Sequence, residues 1–362
     1  MAEAAVIDDA DQLTPEWLDA VLGTAGTGAA VRSVTTEPVG TGQMATTVRA
    51  RAALADGGER TVVVKFTGVG VANPFVQLAY TKEVSFYAEL AAGLPVCTPA
   101  CYHAAIDPAD GRFVLVLEDM AASRPGDQIA GCSVAHAEAA LVNVAGLHGP
   151  TWNDESLASR PWLGAGEGAE EIPADLLRPV MEGAADAFRE RFQADLTPAE
   201  SDVLAASREL VVPWLLTRGP RVAVTHGDYR LDNLLFPVAD PAGVAAVDWQ
   251  TVGLGPPLRD VAFFLGTGLA IDDRRYHERE LVATYHRALG EHGVAGYALD
   301  DCWDDYRLGM MQGPFIILLG RLTAQITDRG DEMFLAMWRR AAAAIDDLAS
   351  LDAIRTQIAA GG

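Results

Sequence analysis

The stretch Val224-Thr225-His226-Gly227-Asp228-Tyr229-Arg230-Leu231-Asp232-Asn233-Leu234-Leu235-Phe236 constrains this chain more than any other. An apolar run leads in, a short polar loop follows, and an apolar run leads out. A further apolar run, Val244 to Val247, delivers Asp248-Trp249-Gln250. The pattern predicts strand, loop, strand, turn, strand. Asp228, Asn233 and Asp248 then fall at strand ends, where polar side chains can converge on one point. These are groups that phosphoryl transfer needs. One carboxylate accepts the proton of the acceptor hydroxyl. An amide and a second carboxylate offer the hard oxygens that Mg²⁺ takes.

The order H-x-D-x-x-x-x-N, followed by a metal-binding Asp beyond a hairpin, is that of the protein kinases. His226-Gly227-Asp228 with Asn233, then Asp248-Trp249-Gln250, resembles the aminoglycoside phosphotransferase and choline kinase superfamily. Within it the chain is most similar to the ecdysteroid-kinase-like branch of small-molecule kinases. The resemblance runs from about Val31 to Phe264. It implies an α+β, two-lobed, protein-kinase-like fold. A small N-lobe would carry an antiparallel sheet and one main helix; a larger C-lobe would be mostly helical. The cofactors implied are ATP and Mg²⁺. Asp228 would be the catalytic base, Asn233 and Asp248 the metal ligands, and Lys65 the phosphate-binding lysine, with His226 orienting the loop. Asp260 would be structural and hold the catalytic loop. Departures from protein kinases are Gly227 in place of Arg, Trp249-Gln250 in place of Phe-Gly, and the lack of an Ala-Pro-Glu segment after Asp248. A protein substrate and control through an activation loop are therefore not expected.

The upstream sequence supplies the other parts. Of 27 basic residues only Lys65 and Lys82 are lysines. A lysine kept in an arginine-rich chain marks a place for a compact ammonium. Lys65 ends the β-prone run Thr61 to Val64, as in the third strand of kinases. Two strands earlier, Gly40-Thr41-Gly42 forms a hairpin whose backbone N–H groups could cover phosphates; Gly40 and Gly42 are assigned to the nucleotide on that placement. No G-x-x-x-x-G-K-[ST] is present, which excludes a P-loop. Phe75 to Leu90 reads as a helix with Phe75, Leu78, Ala79, Phe86 and Leu90 on its apolar face. Glu83 is the expected ion-pair partner of Lys65, with Glu89 the competing choice and Lys82 a surface residue. Tyr102 to Ile106 and Phe113 to Leu117 read as paired strands. They end at Glu118-Asp119-Met120, where Glu118 and Met120 would meet the adenine edge through their backbone.

The rest reads as helices: Ala137 to Leu147, Pro173 to Phe192, Leu281 to Leu289, Cys302 to Leu319 and Met333 to Leu348. Thr197-Pro198-Ala199-Glu200 is a capping box that opens a helix towards Leu216. His148 is expected to act on a helix dipole. Asp300, Asp301, Asp304 and Asp305 either favour a helix N-terminus or receive a cationic acceptor. The domains expected are a nucleotide-binding lobe over 1–119 and a helical lobe with the catalytic loop and acceptor site over 120–362.

Composition limits the partners. The net charge of −23 disfavours nucleic acid and would attract a small cation. No apolar run approaches the ~20 residues of a membrane span. Met1 to Asp11 lacks a basic region before an apolar one, and the four cysteines lack metal-site spacing, so a cytoplasmic protein with reduced thiols is expected. The expected activity is transfer of the γ-phosphate of ATP to a hydroxyl of a small molecule, inactivation of an antibiotic being one version. The alternatives are a metabolic kinase for a sterol-like or hydroxyacyl-CoA acceptor, and a nucleotide-binding pseudokinase.

Overall fold

The structure is a computed structural model and describes residues 5–24, 29–39, 45–67, 74–164, 174–217, 219–240, 243–323 and 326–361. The chain divides into two compact units. One comprises residues 1–94, 98–121 and 247–251, the other 95–97, 122–246 and 252–362. Asp248, which a single cut after residue 119 would leave with the helical part, belongs to the first unit.

The first unit is a mixed sheet-and-helix layer structure. Its strands are β1 (Val31–Pro38), β2 (Ala45–Leu54), β3 (Glu59–Thr67), β4 (Cys101–Ile106) and β5 (Phe113–Glu118). They form one antiparallel sheet in the order β1-β2-β3-β5-β4. Side chains alternate between faces along a strand. Val48, Ala50, Val62, Val64, Phe66, Val114 and Val116 therefore share one face, and bury against Leu18, Val21 and Leu22 of helix α1 (Pro15–Thr24). The opposite face carries Lys65 and Phe113 and packs on helix α2 (Pro74–Glu89), where Tyr80 lies 4.3 Å from the Phe113 ring. β5 is covered on both faces, which is why Phe113 to Leu117 reads as an unbroken apolar run.

α2 buries only part of the face expected of it, Phe86 being inside as expected. Leu78 is exposed, while Tyr80, Glu83, Val84, Phe86 and Tyr87 are buried. Phe75 lies outside the side chains described. The inward face is built from aromatic rings and one carboxylate, which a count of aliphatic residues does not register.

The second unit is mostly helical. It holds α3 (Val134–His148), α4 (Ala174–Phe192), α5 (Pro198–Leu216), α6 (Leu258–Gly268), α7 (Ile271–Glu291), α8 (Leu299–Gly309), α9 (Gln312–Thr323), α10 (Asp328–Asp347) and α11 (Ser350–Gly361). Its short strands are β6 (Ser123–Pro125), β7 (Ala223–Thr225), β8 (Leu234–Pro237), β9 (Ala245–Ala246) and β10 (Gly253–Gly255). β6, β8 and β9 pair in that order, and β7 pairs with β10. The capping box at Thr197 is present: its hydroxyl accepts the Glu200 N–H, and the Glu200 carboxylate accepts the Thr197 N–H. The continuous helix expected over Cys302 to Leu319 is two helices, because the chain turns at Met310-Met311. α6 is buried on all sides and forms the centre of this unit. Among the described residues no helix is long and apolar enough to cross a membrane.

Candidate active site

Lys65 projects from β3 towards Glu83 on α2. Its Nζ donates to both carboxylate oxygens, at 2.7 and 2.9 Å, and to Asp248 Oδ1 at 2.9 Å. The Glu83 side chain is 2% exposed and that of Lys65 14%. Burial opposes the ammonium, but the charges of Asp248 and Glu83 outweigh it and raise the Lys65 pKa above its ordinary value. Burial raises the Glu83 carboxyl, and the Lys65 charge opposes that shift. Of the two glutamates considered, the structure brings Glu83 to Lys65 and leaves Glu89 exposed. Lys82 is half-buried rather than a free surface residue, and burial lowers its pKa.

The segment 247–251 is tied to α2 by its own sequence. Trp249 stacks on Phe86 with centroids 3.8 Å apart and planes 15° apart. The buried Gln250 side chain hydrogen-bonds the Glu83 carboxylate. Asp248 adopts φ 66°, a left-handed conformation that aspartate tolerates better than most residues. Trp-Gln in place of Phe-Gly thus has a local use: the ring packs on the helix and the amide orients the glutamate that holds Lys65.

Glu118 and Met120 flank Asp119 at the end of β5. The Glu118 carboxylate accepts the Ala100 N–H at 3.1 Å, and its own N–H donates to the Ala100 carbonyl at 2.8 Å. Asp119 receives a two-pronged contact from Arg49 on β2, at 2.8 and 3.1 Å. Hydrogen bonds to Asp119 and Glu37 raise the Arg49 pKa, and burial opposes that shift. Gly40 and Gly42 lie outside the described residues.

In the second unit the loop with Asp228 and Asn233 joins β7 to β8. Asn233 Nδ2 donates to the Asp228 carbonyl at 2.9 Å and to its Oδ2 at 3.0 Å. Arg230 Nε reaches the same carboxylate at 3.2 Å. Asp228 N–H donates to His226 Nδ1 at 3.3 Å. Gly227 has φ 82°, in the left-handed region where a side chain is strained, so the arginine of the protein-kinase pattern does not suit this backbone.

Asp260, at the start of α6, holds the loop as expected. Its carboxylate accepts the His226 N–H at 2.6 Å and the Gly227 N–H at 2.9 Å. Gln312 Nε2 donates to the Gly227 carbonyl at 2.8 Å. His148 departs from the expectation of a helix-dipole residue. It is fully buried, with Nε2 3.2 Å from Asp260 Oδ2 and Nδ1 2.8 Å from the Tyr285 hydroxyl. A carboxylate only accepts, so Nε2 donates and fixes Asp260 from behind. Sequence reasoning missed His148, Arg230 and Gln312 as parts of this site. Arg230, two residues after Asp228, carried the one available signal, a cation beside a candidate base.

The acidic cluster is partly engaged within the fold. Arg221 pairs with Asp301 at 3.1 Å and Asp305 at 2.9 Å, and the Tyr297 hydroxyl donates to Asp305 at 2.8 Å. Burial raises the Asp305 pKa against those contacts. Arg307 pairs with Asp304.

Among the described residues no group of three or more His, Cys, Asp or Glu side chains is placed to hold a metal ion. Mg²⁺ commonly takes only one or two protein oxygens, with water and phosphate completing its shell. Asn233 spends its amide nitrogen on Asp228, which leaves Oδ1 as its oxygen for a cation.

The fold is similar to that of a Plasmodium vivax ethanolamine kinase, at 11% identity, with 94% of this chain and 90% of that chain covered and a TM-score of 0.53. The GDP complex of aminoglycoside 2'-phosphotransferase-IIIa is matched at 15% identity and a TM-score of 0.49, covering 91% of this chain and 98% of that chain. Over 67 residues the chain is 39% identical to the Mus musculus acyl-CoA dehydrogenase family member 10, a stretch that is 18% of this chain and 6% of the length of that protein. The ecdysteroid kinase-like family is matched over residues 77–294, more than half of the sequence. The chain belongs to the ecdysteroid kinase-like family.

Proposed function

We propose that the protein is an ATP- and Mg²⁺-dependent phosphotransferase that moves the γ-phosphate to a hydroxyl of a small molecule. The observation that carries this reading is the environment of Asp228. Its carboxylate is held by Asn233 and Arg230, on a loop whose backbone is fixed by Asp260. A base must sit in one geometry to accept a hydroxyl proton while the oxygen bonds to phosphorus and ADP leaves. His226 supports that geometry through its contact with the Asp228 N–H.

Lys65, oriented by Glu83, holds the phosphates as a point charge. Asn233 and Asp248 are the residues that would offer oxygens to Mg²⁺, which when bound would neutralise phosphate charge. The backbone at Glu118 and Met120 takes the adenine edge, and Gly40 and Gly42 are assigned to the nucleotide from the sequence. None of the four cysteines forms a disulfide, in keeping with a reducing compartment such as the cytoplasm. The acidic chain favours a neutral or cationic acceptor over nucleic acid. A sterol-like alcohol and a hydroxyacyl-CoA ester remain the alternative acceptors; the mouse relative's name refers to acyl-CoA, which keeps such esters under test.

Transfer of label from γ-labelled ATP·Mg²⁺ to a panel of aminoglycosides, macrolides, sterols, amino alcohols and hydroxyacyl-CoA esters tests the reading. We expect Asp228→Ala to abolish turnover while ATP affinity stays within about threefold of native, because the base contributes to the transition state and little to nucleotide binding. An Asp228→Ala protein that turns over at the native rate removes Asp228 as the base. Nucleotide binding without any labelled product would favour the pseudokinase reading.

A further inference from the structure

The segment after β6 lies directly against the catalytic loop, and the phosphotransferase reading does not use it. Gly126 N–H donates to the Leu234 carbonyl at 3.0 Å. A Cβ on Gly126 would stand 2.7 Å from the Leu231 carbonyl oxygen, so only glycine allows this approach. Gln128 then contacts the loop twice. Its backbone N–H donates to Asp232 Oδ1 at 3.2 Å, and its Oε1 accepts the Leu231 N–H at 3.0 Å. Its Nε2 donates to the Thr267 carbonyl on α6 at 3.0 Å. The side chain is fully buried with both ends bonded.

Asp232 passes the contact on. Its Oδ2 accepts from Arg230 Nη1 at 3.1 Å, while Arg230 Nε lies 3.2 Å from Asp228. A continuous set of polar contacts therefore joins Gln128 to the candidate base through two charged side chains. Gln128 is anchored in turn by α10. Arg340 Nη1 donates to the Gln128 carbonyl at 2.8 Å and the Thr267 carbonyl at 3.0 Å, and Nη2 to the Ile129 carbonyl at 2.7 Å. Two turns earlier on α10, Met333 Sδ lies 3.4 Å from Arg230 Nη1. One helix thus reaches both the anchor and the arginine beside the base.

We propose that Gln128 is a positioning residue for the catalytic loop, and that Arg340 holds the strap Gly126 to Gly131 in the conformation that lets it act. The proposal rests on the reading of Asp228 as the base. The buried Gln128 side chain ties the Leu231 N–H to α6 and so sets where its own backbone N–H meets Asp232, and Asp232 contacts the guanidinium beside Asp228. Arg340 suits the anchor because two nitrogens of its rigid planar fork reach three carbonyls, whereas a lysine would have to serve them from a single nitrogen.

The test uses the full chain and the acceptor found by the labelling panel. Gln128→Met keeps the bulk and loses both side-chain bonds. We expect its kcat to fall about 10- to 100-fold, the scale of a slight misplacement of catalytic groups, with KM for ATP within about twofold of native. Arg340→Met should lose a similar factor and Arg340→Lys less. Hydrogen exchange followed by mass spectrometry should show faster exchange in the peptide spanning 228–236, with that spanning 45–67 unchanged. A kcat within about twofold of native in Gln128→Met, or a loss carried by KM alone, overturns the proposal. Should Gln128→Met fail to fold, equal kcat in native, Arg340→Lys and Arg340→Met overturns it instead. If the native protein phosphorylates no acceptor, the phosphotransferase reading fails by itself. Exchange at 228–236 then decides the strap, and unchanged exchange in the variants overturns it.

Discussion

Replacing Asp260 by Asn keeps the shape of the side chain and removes its charge and one acceptor. In the native protein the fully buried carboxylate accepts the His226 N–H at 2.6 Å, the half-buried Gly227 N–H at 2.9 Å and His148 Nε2 at 3.2 Å. Asparagine has one side-chain oxygen. It can serve one backbone N–H while its amide faces the other donors. A hydrogen bond to a charged group contributes about 1.5–3 kcal/mol, and a buried donor left unpaired costs about 1–3 kcal/mol. Losing one such bond, weakening another and orphaning one N–H gives roughly 3–5 kcal/mol, at the high end for a single substitution. At about 2–4 °C per kcal/mol for a unit of this size, Tm should fall by on the order of 10 °C. Thermal melts by circular dichroism at neutral pH measure this, and the remaining folded protein should also show lower kcat because the loop no longer holds Asp228. An Asp260→Asn protein that melts within about 2 °C of native and keeps its kcat refutes the assignment of Asp260 as the brace.

Arg49→Ala leaves the Asp119 side chain, 4% exposed, without its bidentate partner. We expect calorimetry to show ATP affinity weakened about five- to tenfold, the effect of loosening the Glu118 to Met120 stretch; unchanged affinity would separate that stretch from the nucleotide. The thiols supply a pH prediction. Burial pushes Cys101 up to about 11 and Cys132 and Cys302 up to about 12. An unfolded thiol ionises near about 8.5. The folded state keeps protons that the unfolded state releases, so this stability is intact below about pH 8.5 and is lost as pH rises towards the folded values. Tm should fall from pH 8.5 upward, and the fall should be shallower in Cys302→Ala. Iodoacetamide at pH 8 should modify the exposed Cys97 first in the native protein; equal labelling of all four cysteines would contradict the burial argument.

Much of the chemistry was legible in the order of residues along the chain. Asp228, Asn233 and the loop between them are close in sequence, so spacing alone places the amide beside the carboxylate, and the structure has that contact at 3.0 Å. Lys65 was legible because lysine is so rare here, and the capping box at Thr197 because its two bonds are local. These features depend on a few adjacent backbone dihedrals.

What only the tertiary structure decided depends on partners far along the chain. The spacing left Glu83 and Glu89 both open, and the register of α2 against the sheet chose Glu83. That same register put Tyr80, Val84 and Tyr87 inside and Leu78 outside. His148 looked like a helix-end histidine until Asp260, more than a hundred residues later, came to lie against it. Gln128 and Arg340 have no local signal at all, since their bonds run to Leu231, Thr267 and each other across the unit. Local chemistry names the groups that react. The long-range packing of α6, α7 and α10 decides which polar side chains are buried together, and buried polar atoms must find partners wherever the fold places them.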